Sequence, residues 1–446
     1  MDQVKAYPNH FLEHLQHAPG FDEQAMTTVQ GTLPPVSIRL NPAKRFPHHF
    51  HRQVPWCSQG YYLDTRPIFA HDPLFHAGAY YVQEASSMFL DHVLRTLQAD
   101  VQPMRILDLC AAPGGKSTLI ASVMHPQSVL VANEVIRSRT AVLHENITKW
   151  GDARVIVTHN DPADFATARH YFDIIVADAP CSGSGMFRKD PDAMQEWSIA
   201  HVAHCSKRQE RILEDVLPAL KPGGWLIYST CSYSEEENEH IVDGLVQSGY
   251  HCFIDSTVSM RFPGIVLGKN GYRFYPYNIS GEGFFIAAMQ KPDGPASPIH
   301  QTGCHYDPCS NAEKENAAAW LNNPELYVCV KDKENLLAIP HSVYTVLQTC
   351  GKWHILQAGV RMGACKRNQF IPEHDLFMSA AWSKHLPLIE LDAEAALQYL
   401  RKNTFTLPDT SPGWAAITYQ QVVLGGIKVV PGRFNNYYPT AWRLRK

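Results

Sequence analysis

Between Arg105 and Ser232, short apolar runs alternate with stretches of helical pattern. That alternation constrains the fold more than any other feature of the 446 residues. RILDL is followed by GKSTLIASVM, and SVLVANE by SRTAVLHENITKW. ARVIVTH, FDIIVADAP and GWLIYSTCS continue the series, with one long polar helix expected from about Asp192 to Leu220. Strands separated by helices of this length build βαβ units, whose parallel sheet is covered on both faces. An α/β, Rossmann-like domain is therefore expected. Ligands of such sheets bind beyond the carboxyl ends of the strands. The residues out of keeping with an apolar strand fall at those ends: Asp108, Glu134, Asp161, Asp178 and Cys231.

The flanks differ in character. The first hundred residues carry Pro34-Pro35, many histidines and short mixed apolar segments, which read as a small α+β region. Within it SIRLNPAK (Ser37 to Lys44) predicts a strand running into a turn at Pro42. Met88, Phe89, Val93, Leu94 and Leu97 predict a helix from about Glu84. Pro292 to Pro298 has the composition of a linker. Beyond it lie four tryptophans, Trp353, Trp382, Trp414 and Trp442, and the strand-rich stretch AAITYQQVVLGGIKVVPG. The expected divisions are residues 1–100, 101–291, 300–372 and 373–446. Cofactor binding is expected to survive removal of everything after about Lys291.

Hydrophobic residues make up 45% and charged residues 18%, the balance of a globular chain. No apolar run approaches the ~18–20 residues of a membrane helix. The opening MDQVKAYPNHFLEHLQHAPG has acids and histidines where a signal peptide needs a basic patch and an apolar core. A soluble, unprocessed cytoplasmic protein with no membrane partner is expected. A net charge of -4 excludes an indiscriminate polycation. From Gly351 to Lys446, however, twelve Lys and Arg stand against six Asp and Glu, a net of +6 that leaves -10 for the rest. A basic C-terminal segment suits a polyanionic partner, or a solvated face. Eleven cysteines, an odd number, argue against a disulfide framework. Cys304-His305…Cys309 matches no strong metal-ligand spacing, and no metal is expected.

Three segments carry the chemistry. Asp108-Leu-Cys110-Ala111-Ala112-Pro113-Gly114-Gly115-Lys116-Ser117 delivers a strand into a Gly-rich turn and a helix start. Glycines admit a ligand close to the backbone, and the helix N-terminus offers free N–H groups to a carboxylate or a phosphate. The spacing is neither GxGxxG nor GxxxxGK[ST]. Glu134 after the second strand suits paired ribose hydroxyls, and Asp161 after the third suits an adenine amino group. Loop and acids in this order suggest S-adenosylmethionine. The second segment, Asp178-Ala-Pro-Cys181-Ser-Gly-Ser-Gly185, and the third, Ser229-Thr-Cys231-Ser-Tyr233, bring an acid and two thiols to neighbouring strand ends. A single cysteine is usually a buried hydrophobe, but two beside an acid point to chemistry. C5 of cytosine is a poor nucleophile; a thiolate adding to C6 makes it enamine-like and able to take a methyl group. An acid near N3 assists, and a second thiol can help release the product.

These segments resemble those of the Sun-type RNA cytosine-C5 methyltransferases: CAAPGGKS, DAPCSGSG and TCS, with QEASSM (Gln83 to Met88) and SIRLN similar to that family's N-terminal part. The resemblance covers most of residues 1–290. It implies that Cys231 is the nucleophile, that Cys181 releases the product, and that Asp178 contacts cytosine. Cys110 to Lys116, Glu134, Asp161 and Asp178 would line the cofactor site. DNA cytosine methyltransferases place their nucleophile in a Pro-Cys element corresponding to Cys181, a scheme that would leave Cys231 spare. LGGIKVVPGRFNNYYPTAWRL is similar to the end of the bacterial RsmF (YebU) enzymes, which methylate small-subunit ribosomal RNA and carry a PUA-like domain there. The resemblance therefore implies a Rossmann-like class I methyltransferase domain with a PUA-like C-terminal region. It also implies small-subunit (16S) ribosomal RNA, or the assembling subunit, as partner. Arg188 and Lys189 are candidate RNA-backbone contacts, or solvated charges. Two other functions fit the same sequence: transfer RNA methylation by the same chemistry, and a non-catalytic RNA-binding ribosome-assembly factor. Asn160-Asp161-Pro162 departs from the family's pattern by placing a proline beside the adenine-binding acid.

Overall fold

The computed structural model describes residues 6–445 except 299–302, 304–305, 350, 352, 367–368 and 409. Cys304 and His305 thus lie outside the described residues. Five strands run in parallel at the centre: β1 (Arg105–Asp108), β2 (Val129–Asn133), β3 (Val155–Thr158), β4 (Phe172–Asp178) and β5 (Leu220–Thr230). Antiparallel β6 (Phe284–Gln290) follows β5, and β7 (Ile355–Gln357) pairs antiparallel with β3, giving the order β6-β5-β4-β1-β2-β3-β7 within a ten-stranded sheet. Every residue of β2 and β3 is buried, as expected of strands covered on both faces. Asp108 pairs with Ala132 and Val176, and Asp178 with Ser229, so the carboxyl ends of the central strands form one level row.

Three helices cover this sheet near the site: α1 (Gly115–Val123), α2 (Arg137–Trp150) and α3 (Ile199–Val216). The long helix expected from about Asp192 is two helices. A short one, Pro191–Glu196, ends where Trp197 turns extended; Ser198 then caps α3, its side chain accepting from the His201 N–H. A serine hydroxyl competes with the backbone for that bond, which restarts the helix. The helix expected from about Glu84 begins as a 3-10 turn, Ser86–Phe89, and continues as Leu90–Thr96. Glu84 caps it, its two carboxylate oxygens accepting from the Ser86 and Ser87 N–H groups.

The N-terminal region forms a three-stranded sheet with Val36–Leu40 at its centre. From this strand the buried Arg39 reaches into the catalytic domain. Its guanidinium donates to Gln83 Oε1 (2.8 Å), Thr118 Oγ1 (2.6 Å) and the Gly115 carbonyl (3.3 Å), so SIRLN and QEASSM together brace the start of α1. Beyond residue 306 a five-stranded sheet ends at Pro372, and a four-stranded one spans Leu388–Glu390 to Arg433–Asn436. The strand-rich C-terminus is as expected. No helix among the described residues is long and apolar enough to cross a membrane.

Contacts cross the boundary expected at Lys291. β7 completes the edge of the catalytic sheet, and Trp353 stacks on Phe172 of β4 with ring centroids 5.7 Å apart. The same indole meets Phe165 edge-on at 5.0 Å, beneath the loop that carries Asp161. A chain cut after Lys291 loses both. Trp353→Ala is expected to lower stability by about 3–5 kcal/mol, the usual cost of truncating a buried aromatic. Urea denaturation followed by circular dichroism checks this. A change below about 1 kcal/mol would show that the indole is not part of the shared core.

Candidate active site

At the end of β1 the chain turns through Leu109–Pro113 into α1. Gly114, with φ 115°, is the N-cap, a conformation that an L side chain rarely adopts. The turn leaves the first N–H groups of α1 aimed at the row of strand ends. Beneath it Asp108 is fully buried; its Oδ2 accepts from Ser117 Oγ at 2.6 Å, while its Oδ1 has no hydrogen-bond partner. Burial pushes its carboxyl up to about 7, against the pull of Ser117.

Glu134, at the end of β2, is likewise buried. Its Oε1 accepts from the Ile136 N–H at 2.8 Å, and its Oε2 is left without a hydrogen bond, with Arg139 Nη1 3.6 Å away. A buried carboxylate oxygen short of a donor is the chemistry that a ribose hydroxyl completes. With the open helix start beside it, the donor set fits S-adenosylmethionine. Asp161 is differently engaged. It is exposed, opens the 3-10 turn Pro162–Thr167, and accepts from the Ala163 N–H at 3.1 Å, while Asp164 returns to the Asp161 N–H. Pro162, preset for the first helical position, explains this capping geometry.

The second and third segments meet at the ends of β4 and β5. Asp178 is partly open to solvent, at 35% exposure. Its Oδ2 lies 2.7 Å from Lys116 Nζ and its Oδ1 accepts from Ser229 Oγ at 2.8 Å. Burial works to lower the Lys116 ammonium, but Asp178 beside it holds the group above its ordinary value. Cys181 and Cys231, both half-buried, face each other with sulfur atoms 3.0 Å apart. The hydrogen bond to Cys231, together with burial, pushes the Cys181 thiol well up; either sulfur can be the donor between them.

Two contacts hold this pair that sequence reasoning did not assign. Glu237, fully buried, accepts from the Ser182 N–H (2.7 Å), Ser182 Oγ (2.6 Å) and Ser232 Oγ, and so ties the Cys181 loop to the Cys231 loop. The Gly185 N–H donates to the Cys231 carbonyl at 2.8 Å, and a Cβ at Gly185 would stand 2.8 Å from that same oxygen. The acidic run EEENE was the available signal for Glu237; nothing in its pattern tells which glutamate turns inward. Arg188, read as an RNA contact or a solvated charge, is neither. Its guanidinium is buried against Glu282, donating to both carboxylate oxygens at 3.1 and 2.9 Å. Among the described residues no group of three or more His, Cys, Asp or Glu could hold a metal.

A parallel sheet with these strand-end groups defines a Rossmann-like methyltransferase. Family comparison agrees: a model described as 16S rRNA methyltransferase RsmB/F matches residues 95–290. The N-terminal domain of 16S rRNA methyltransferase RsmF matches residues 7–85, and the methyltransferase RsmF PUA domain residues 387–444. The chain is 33% identical to ribosomal RNA small subunit methyltransferase F of Serratia proteamaculans, over 86% of this chain and 83% of that one. It is 32% identical to the protein of the same name from Salmonella schwarzengrund, with the same coverage. A solved methyltransferase homolog from Pyrococcus horikoshii superposes with a TM-score of 0.54 at 28% identity, covering 64% of this chain and 96% of its own. The chain belongs to the ribosomal RNA small subunit methyltransferase F family.

Glu134→Ala removes the acceptor at the end of β2. Hydrogen bonds to a charged group contribute roughly 1.5–3 kcal/mol each, so S-adenosylmethionine affinity is expected to fall at least about tenfold. Unchanged calorimetric binding in a folded variant would reject this placement.

Proposed function

We propose that this chain makes 5-methylcytosine in small-subunit (16S) ribosomal RNA through a covalent bond between Cys231 and C6. The observation that carries this reading is the 3.0 Å pairing of two thiols at adjacent strand ends, beside a carboxylate. The relatives' name, ribosomal RNA small subunit methyltransferase F, supports the choice of RNA, and the matched PUA domain supports docking of RNA through residues 373–446. In this reading residues 1–100 help bind RNA, 101–291 carry the reaction, and 300–372 form the intermediate domain. The site of action is the cytoplasm.

The loop Cys110–Lys116 and Glu134 would hold S-adenosylmethionine, with Asp161 on the adenine side. Bound there, the cofactor supplies an electrophilic methyl group to C5. Cys231, as thiolate, forms the bond to C6 and pushes the C5–C6 electron pair onto C5. Asp178 relays a proton to N3 from the Lys116 ammonium, 2.7 Å from its Oδ2, which offsets the negative charge that builds on the ring. Release returns the enzyme: water takes the C5 proton, its bonding pair restores the double bond, the C6–sulfur pair goes back to Cys231, and the N3 proton returns through Asp178 to Lys116. Cys181, holding its proton, donates a hydrogen bond to the departing thiolate. This is why two thiols are needed rather than one.

The two cysteines separate kinetically. Cys231→Ala is expected to abolish methyl transfer and covalent adducts together. Cys181→Ala leaves addition intact and slows release, so a methylated enzyme–RNA adduct should accumulate. Neither change touches the Glu237 hydrogen bonds, so the loops should keep their places. Denaturing gel electrophoresis after incubation with 16S RNA and S-adenosylmethionine reads the result. An RNase-sensitive slow band with Cys181→Ala alone supports the assignment. The reverse pattern makes Cys181 the nucleophile, and residual methylation without adducts in both variants would sink the covalent mechanism.

A further inference from the structure

One face of α3 carries His204, Lys207, Arg208 and Arg211, which together line a shallow surface depression. Their spacing of three, four and seven residues puts them on one stripe about 10 Å long. His204, Lys207 and Arg211 are exposed and Arg208 is half-buried. Among the described residues none of the three cations has an ion-pair partner, whereas Arg188 and Lys221, on either side of α3 in the chain, are tied to Glu282 and Asp173. Glu210 and Glu214 flank the stripe on one side, and Asp215 closes it one turn beyond Arg211.

The opposite face of the same helix is fastened to the reaction centre. Val202, Cys205, Gln209, Ile212, Leu213 and Val216 are buried. Gln209 Nε2 donates to the Pro180 carbonyl at 3.0 Å, next to Cys181 in the chain, and Ser206 Oγ donates to the Glu236 carbonyl at 2.8 Å, beside the glutamate that ties the loops. Gln209 follows Arg208 in the chain, so the stripe is carried by a helix fastened to the Cys181 loop, and three cations without ion pairs there suit an anion that arrives from solvent.

We propose that this face of α3 binds the phosphate backbone of the substrate RNA beside the target nucleotide, with Lys207, Arg208 and Arg211 as the contacts. The proposal rests on the RNA reading above and adds a docking surface within the catalytic domain, distinct from the PUA region. Lysine and arginine pair with phosphate without reading sequence, so the contact positions the strand and leaves selection of the base to the cysteine site.

The test uses the full chain and fluorescent oligouridylate of 20 nucleotides, followed by anisotropy across a salt series. The triple variant Lys207→Gln/Arg208→Gln/Arg211→Gln should raise Kd at least about tenfold near 0.1 M salt. It should also reduce the slope of log K against log salt by about 2, since each phosphate contact on a single strand contributes ~0.7. Affinity for S-adenosylmethionine should not change. The charge-keeping variant Lys207→Arg/Arg208→Lys/Arg211→Lys should bind like the wild type. Unchanged Kd and slope in the neutral variant would overturn the proposal, including the case where that variant loses only the small subunit and so marks a contact with an acidic protein. Equal loss in the charge-keeping variant, or wild type without salt-dependent binding, would overturn it too. Oligouridylate has no cytosine, so the result stands apart from the covalent chemistry. Absent adducts would refute that reading and leave this surface in place.

Discussion

Glu237 receives three hydrogen bonds in a position closed to solvent, from the backbone and hydroxyl of Ser182 and the hydroxyl of Ser232. A carboxylate so buried costs several kcal/mol unless donors surround it. Burial pushes its carboxyl up, and the Ser182 and Ser232 donors pull it back. The donors come from two loops that begin on different strands, so satisfying the carboxylate brings Cys181 and Cys231 within 3.0 Å. The serines of DAPCSGSG and TCS are therefore positioning residues: each stands one place after a cysteine and aims it through the shared glutamate. A loop that slipped by one residue would leave a buried charge with too few donors, and this is what keeps two irregular turns in register.

The flanking regions brace this centre from opposite sides. Arg39 carries the N-terminal sheet onto the start of α1, spending its guanidinium on Gln83, Thr118 and Gly115. Burial lowers its guanidinium to about 10, still far above neutral pH, so the charge is kept. On the other side Trp353 and β7 close the core around β4 and the loop after Asp161. The Gly114–Gly115 turn and the loop after Asp161 are thus each propped by a segment from outside the sheet that bears them.

Much of this was legible in the sequence because periodicity and motif spacing are local. The five parallel strands, the row of strand-end acids and the convergence of Cys181 with Cys231 follow from where apolar runs stop. The unread parts depend on partners distant in the chain. Arg39 looks like an ordinary strand arginine until Thr118 is beside it, and Arg188 looks like a free cation until Glu282 is. Trp353 sits beyond a proline-rich linker, where composition alone suggested a boundary. The break in the long helix at Ser198 is a local signal outweighed by the amphipathic pattern on either side of it. Asp161 capping its own turn follows from the Pro162 already conspicuous in the sequence.

The strand β7 carries a consequence for the order in which the chain is made. β3 is the last parallel strand on its side of the sheet, and among the described residues its outer edge pairs with residues 355–357. Synthesis runs from the N-terminus, so the parallel sheet, complete at Thr230, is made well before its cover, which begins two hundred residues after β3 does. Throughout this interval a buried-type strand of Val and Ile offers open N–H and C=O groups to any neighbour. The nascent chain thus carries an open sheet edge after Cys181 and Cys231 have both been made, and the last third of the chain supplies the strand that closes it.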